Sequence, residues 1–366
     1  MANDPKYMDI VNWTMEQITI GEFKPKDKFL SEAELGKRFS CSRQTVRHAL
    51  DMLEKSGYVS RVQGSGTYIS SGKPSIKNYS LESDTSSTVG FVSTYQDNYI
   101  FPSIIRGLEG VFTEKGIGLQ MISTNNMVAG ETRALNHMMD RRLDGLIVEP
   151  TRSALPCVNV ELYRTIIQSG MPLVFIDSFY PELNIPYVAL DDVKAGYVAT
   201  EYLLKMGHKN IIGIFPHNNR QAHLRYLGYV KALTDHKVPI REDYICWYPM
   251  QSMLKTMLSK QFDESLSICT ASLCYNDSVA LMLIDFLRDR ERIVPEDFSV
   301  MGIDNSELAK FCSLTSVAHP AEKLGESVAK LLLSMIGGSK GENILFEPQL
   351  VVRGSVRQLD GRCHET

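Results

Sequence analysis

The sequence predicts an α/β protein of two or three folding units: a small helical module closed by a β-hairpin, then a much larger region of alternating strands and helices. Three observations carry this reading. Residues 41 to 69 couple a helix pattern with one polar face to a glycine-tipped hairpin. Beyond residue 88, short apolar runs recur with helix-length segments between them, the pattern of parallel βαβ units. Polar residues follow those runs repeatedly at the same end. A chain of 366 residues with 43% hydrophobic content is long enough and apolar enough for more than one core.

The first module begins with Ser31-Glu32-Ala33-Glu34, an S-x-x-E capping box that starts a helix. Gly36 is expected to break that helix, and the segment to Cys41 to turn into a second one. Ser42 is a good N-cap, and Val46, Ala49, Leu50 and Leu53 follow as one apolar stripe. Arg43, Gln44, Arg47 and His48 then lie on the other faces, where Arg can fork onto guanine or phosphate and Gln can read adenine. Gly57 is placed to end the helix. Gly64 and Gly66 allow the tight turn of a hairpin tip. Helix, turn, helix and hairpin in this order describe a winged helix-turn-helix that binds DNA.

Net charge conceals this module. The whole chain carries −4, but residues 1 to 72 carry +1 and the remainder −5. The positive charge must therefore concentrate on one face to meet phosphate. Seven scattered cysteines form no CxxC pair or zinc spacing, and suggest free thiols in a reducing cytoplasm. No basic, apolar leader stands at the N-terminus, and no run of about 18 apolar residues suggests a membrane span. Neither G-x-x-x-x-G-K-[ST] nor H-E-x-x-H occurs, so a kinase or isomerase lacks the phosphate loop or metal-ligand cluster it would need. We expect no enzyme, no cofactor and no metal.

Residues 73 to 87 are polar and read as a linker between a 1–72 module and an 88–366 domain. Buried strands are expected at 89–92, 118–122, 145–148, 172–176, 211–215 and 299–303, more than one sheet of ordinary size needs. Two sheets with a cleft between them follow, and ligands of open α/β sheets bind beyond the carboxyl ends of the strands. Those ends carry Ser93-Thr94-Tyr95, Glu149-Pro150-Thr151, Asp177-Ser178, Asn276-Asp277 and Asp304-Asn305. Carboxylates and amides suit a polyhydroxylated ligand, with Tyr95, Tyr99 and Phe101 against an apolar sugar face. Each Asp or Asn equally suits a helix cap; it is their recurrence at five strand ends that favours a site.

Residues 6 to 70 resemble the GntR-family winged helix in Leu30-Ser31-Glu32-Ala33-Glu34-Leu35, Ser42-Arg43-Gln44-Thr45-Val46-Arg47 and Gln63-Gly64-Ser65-Gly66-Thr67, although Leu30 stands where proline is usual. The resemblance implies Glu32, Arg43, Arg47, Gln63 and Gly64 as DNA contacts; Gln44 joins them by its chemistry. Residues 88 to 357 resemble the LacI/GalR effector domain in Leu143-Asp144-Gly145-Leu146-Ile147, Arg225-Tyr226-Leu227-Gly228-Tyr229, Tyr275-Asn276-Asp277-Ser278 and Val294-Pro295-Glu296-Asp297-Phe298. That resemblance implies a periplasmic-binding-protein-like effector domain of two α/β subdomains. It also implies a sugar cleft lined by Glu149, Asp177, Arg225, Asn276 and Asp304. The combination is similar to the arabinose-responsive repressors of Gram-positive bacteria. A homodimer on palindromic operator DNA, released by a monosaccharide such as L-arabinose, is the expectation. Ile104, Leu108 and Val111 form a helix face for either the dimer or the domain's own core.

Overall fold

In a computed structural model the described residues are 6–19, 22–55, 58–62, 65–70, 87–96, 100–249 and 252–359. The chain forms two compact units, Met1–Thr85 and Ser86–Thr366.

The first unit contains α1 (Lys6–Thr19), α2 (Glu32–Arg38), α3 (Arg43–Lys55), β1 (Val59–Val62) and β2 (Gly66–Ile69). The capping box forms: Ser31 Oγ accepts from the Glu34 backbone, and Glu34 accepts from the Ser31 backbone. Ser42 caps α3, its Oγ accepting from Thr45 N–H at 3.2 Å. Val46, Ala49, Leu50 and Leu53 are buried with Ile10, Leu35 and Val59, while β1 and β2 pair antiparallel as the hairpin. Gly36 corrects one expectation, because α2 runs through it to Arg38. A Cβ there would stand 3.5 Å from the Cys41 carbonyl oxygen, an ordinary contact, so the position lies within the helix without demanding glycine. Gly57, Gln63 and Gly64, and the linker up to residue 86, lie outside the described residues.

The second unit has two lobes. The first holds β3 (Thr88–Ser93), α4 (Phe101–Glu114), β4 (Gly118–Ser123), α5 (Val128–Met139), β5 (Gly145–Val148), α6 (Val160–Gln168), β6 (Leu173–Ile176) and β7 (Tyr187–Leu190). The chain then crosses into the second lobe: α7 (Asp192–Lys205), β8 (Ile211–Pro216), α8 (Arg220–Asp235), β9 (Ile245–Tyr248), α9 (Met253–Met257) and α10 (Lys260–Ile268). That lobe continues with β10 (Ala271–Cys274), α11 (Asp277–Arg288), β11 (Ser299–Asp304), α12 (Glu307–Phe311) and β12 (Thr315–Ala318). It returns with α13 (Ala321–Ile336) and β13 (Ile344–Phe346), and crosses a third time into β14 (Gln349–Val351).

The strand orders are β13-β7-β6-β5-β3-β4 and β14-β12-β11-β10-β8-β9, parallel throughout except for β14. Each sheet is covered on both faces, so its inner strands are buried along their length rather than alternating. All six strands expected from the sequence are present; β7, β9, β12, β13 and β14 were not singled out. Ile104 and Leu108 are wholly buried against the first sheet and α13, which settles their face as core. Glycines set the closest helix contacts. A Cβ on Gly196 of α7 would stand 2.0 Å from the Arg225 carbonyl oxygen on α8, and one on Gly107 of α4 would stand 2.1 Å from that of Glu322 on α13.

Candidate functional site

On the first unit, burial of one stripe of α3 leaves Arg43, Gln44 and Arg47 exposed on the opposite side. Glu32 begins α2 beside them. Arg47 Nε donates to both Glu32 oxygens, at 3.0 and 3.2 Å, and Arg43 Nε lies 3.7 Å from the same carboxylate. Glu32 thus orients two arginines of the polar face. Arg61, which sequence reasoning did not assign, ties β1 to α3 by donating to Asp51 Oδ1 at 2.7 Å and to the Arg47 carbonyl at 3.4 Å. Its signal in the sequence is the pair of acids, Asp51 and Glu54, one turn apart on α3.

In the second unit a cavity of about 270 Å³ lies between the lobes, at the carboxyl ends of both sheets. Tyr95, Phe101, Asp177, Arg225, Asn276 and Asp304 line it. Tyr99 lies outside the described residues. Glu149 departs from expectation: it stands behind the wall, where its Oε2 accepts from Thr94 N–H and Thr94 Oγ–H, both at 2.6 Å. Burial pushes this carboxyl up to about 8, and the Asp177 charge adds to the rise, while the Thr94 hydrogen bonds oppose it. Asn276 serves both alternatives, since it lines the cavity and its Oδ1 caps α11 through Val279 N–H at 3.1 Å.

Arg225 is no solvated helix residue. It is 3% exposed and fully engaged along its fork. Nε donates to Asp192 Oδ1 at 2.7 Å, Nη1 to the Tyr275 carbonyl at 2.6 Å, and Nη2 to Asp304 Oδ1 at 3.2 Å. Asp192 is pushed up to about 7 by burial, which the Arg225 charge opposes. Asp177 receives Gln221 Nε2 at 3.0 Å and His319 Nε2 at 2.8 Å. Burial raises its pKa, yet the His319 and Arg225 interactions outweigh that and leave it below the usual 3.8. Sequence reasoning missed Gln221, His319 and Asp192. Gln221 alone had a local signal, four residues before Arg225 on one helix face.

Asp177 and Asp304, at matching ends of β6 and β11, both have positive φ, 64° and 108°. Such backbone in a non-glycine residue costs roughly 1–3 kcal/mol and persists where the surroundings impose it. Chemically, the cavity offers oriented carboxylates, an amide and aromatic surface, which suits recognition of hydroxyl groups. Among the described residues no cluster of His, Cys, Asp and Glu is placed to hold a metal, and no helix is long and apolar enough to cross a membrane.

A DNA-reading head together with a two-lobed ligand domain defines the class of ligand-responsive transcription regulators. Residues 9–69 match the model of the bacterial regulatory proteins, gntR family, and residues 200–356 that of the periplasmic binding protein-like domain. The chain is 34% identical to the arabinose metabolism transcriptional repressor of Geobacillus stearothermophilus, with 97% of this chain and 98% of that protein covered. It is 37% identical to the protein of that name from Halalkalibacterium halodurans, with 97% of each covered. The chain belongs to this family of repressors, which are regulators and not enzymes. Solved structures agree in fold. The transcription regulator CcpA of Lactococcus lactis superposes with a TM-score of 0.66 at 22% identity, covering 74% of this chain and 100% of that one. A LacI family regulator from Enterococcus faecium with bound ribose gives 0.63 at 24% identity, covering 75% and 100%.

Proposed function

We propose that the protein represses transcription by binding a palindromic operator as a homodimer and releases it on taking up a monosaccharide, with L-arabinose as the inducer. The observation that carries this reading is the cavity between the lobes, whose wall presents Asp177, Asp304 and a pre-positioned Arg225 fork. Its volume is slightly below the ~300–1,000 Å³ of drug-sized sites, which fits one sugar ring. Asp177 and Asp304 would accept from ring hydroxyls and the Asn276 amide would donate to them, with Tyr95 and Phe101 against the apolar face. Glu149 would act through Thr94, which lines the cavity. A sugar phosphate suits it less: Arg225 is the one cation among the described lining residues, and its fork is already engaged by two carboxylates and the Tyr275 carbonyl.

Arg43, Gln44 and Arg47 would contact the operator, with Glu32 orienting the two arginines. The effector need only bind the two states of the repressor unequally to shift it off DNA. Exposed apolar side chains support self-association: Phe311 is 84% exposed and Leu308, one turn earlier on α12, 53%. Operation in the cytoplasm follows from the operator as partner. The test is fluorescence anisotropy on operator DNA with L-arabinose, D-xylose and D-galactose. Release by L-arabinose alone is the expected result, and release by none of the three would overturn the ligand class.

A further inference from the structure

A circuit of hydrogen bonds joins the lobes beside the cavity, and α8 both begins and ends it. Gln221 and Arg225 are four residues apart on that helix and share a face. Gln221 Nε2 donates to Asp177 Oδ2, and His319 Nε2 donates to Asp177 Oδ1. The His319 backbone N–H donates to the Asp304 carbonyl at 3.2 Å, and Arg225 Nη2 closes the circuit on Asp304 Oδ1. Asp177 belongs to the first lobe, whereas Gln221, Arg225 and Asp304 belong to the second. His319 stands in the crossover between β12 and α13 with its side chain 1% exposed, and is not itself a lining residue.

We infer that His319 is a positioning residue for effector capture: it fixes the Asp177 carboxylate at the cavity wall and, with Gln221, holds the lobes in the arrangement that encloses the ligand. This rests on the sugar-binding reading above. Asp177 has a positive φ, a backbone conformation that persists in a non-glycine residue only where the surroundings impose it. Each of its oxygens takes one protein donor and keeps a lone pair for a ligand hydroxyl. Gln221 Oε1 is buried without a partner beside the same cavity, an acceptor that a sugar hydroxyl would satisfy.

The imidazole also responds to pH. It faces Asp177 from β6, Asp304 from β11 and Arg225 from α8, with Asp192 of α7 near enough to feel its charge. Burial pulls its pKa down most, but the hydrogen bond and charge of Asp177, with Asp304, outweigh burial and Arg225 and raise it above 6.5. The cationic form therefore strengthens this lobe arrangement fully below 6.5, and that contribution is lost as pH rises through the raised folded value.

The experiment is titration calorimetry with L-arabinose on the full chain, wild type, H319Q and H319A, from about pH 6 to 9. Wild-type affinity is expected to fall as pH rises. H319Q keeps an amide donor that does not titrate and should show a smaller pH dependence than wild type, the remainder coming from Glu149 and Asp192. H319A leaves a buried carboxylate oxygen unpaired and should bind roughly 10- to 100-fold more weakly throughout. Melting curves establish that each variant is folded. Binding by H319A with the affinity and pH profile of wild type would overturn the positioning role alone. A wild type that takes up no monosaccharide at any pH would overturn the proposed function along with it.

Discussion

Replacing Arg225 by alanine tests how far this side chain is structural as well as ligand-facing. It removes a cation that satisfies two carboxylates and a carbonyl, with Asp192 and Asp304 side chains only 3% and 4% exposed. Breaking a buried ion pair by deleting one partner costs about 3–5 kcal/mol. The two pairs share one guanidinium, so their losses do not simply add. Asp192, already raised to about 7 beside the arginine, can relieve part of its own loss by taking up a proton. A net loss of about 3–5 kcal/mol is a large part of the ~5–15 kcal/mol that stabilises a native protein. At ~2–4 °C per kcal/mol it lowers the melting point of the larger unit by roughly 10 °C. Arg225→Lys should lie between, since an ammonium meets one acceptor at a time and lacks the planar fork. Differential scanning calorimetry reads the shift, and anisotropy with operator DNA below the transition reads whether the DNA-reading head still binds. A melting point of Arg225→Ala within 2 °C of wild type would refute the claim that Arg225 carries this network (about 1 kcal/mol is the most such a shift allows).

Other expectations follow from the same geometry. Arg43→Ala should weaken operator binding by about 1–3 kcal/mol with sugar uptake unchanged, and Glu32→Gln, which releases Arg47 and Arg43 from their orienting carboxylate, should reduce discrimination against non-operator DNA; competition titrations read both. Glu149 carries a raised pKa, so the stability it contributes is full below 4.5 and is lost as pH rises through about 8. Glu149→Gln cannot ionise, and should flatten the melting point against pH across that window; parallel curves for variant and wild type would contradict the assignment. Gly196→Ala should destabilise strongly, because its Cβ meets a carbonyl oxygen at 2.0 Å, whereas Gly110→Ala has nothing within 4 Å and should gain up to about 1 kcal/mol of helix propensity. Thermal melts of the pair decide whether helix contact or propensity governs these positions.

The reading head was legible in the sequence because its determinants are local. Ser31 with Glu34, Ser42 with Thr45, and the Val46–Leu53 stripe act within one or two turns of helix, so spacing alone specifies them. The most apolar strands of each sheet were legible for a related reason, since a run such as Ile211–Phe215 is apolar because both faces are covered. Gly36 was misread because glycine is a weak helix breaker, and the capping box and tertiary packing outweigh its propensity. Spacing placed Glu149 at a strand end without showing that its carboxylate turns to Thr94 behind the wall.

What only the tertiary structure decided are the pairings between distant segments. Periodicity shows that Ile104 and Leu108 need a cover, but the cover is α13, which returns from the other lobe more than two hundred residues later. His319 meets Asp177 across 142 residues, and Arg225 meets Asp304 across 79. Local sequence determines which side chains a helix or strand presents. Three chain crossings between the lobes determine which charges share a buried space, and the low dielectric there sets which of them remain ionised.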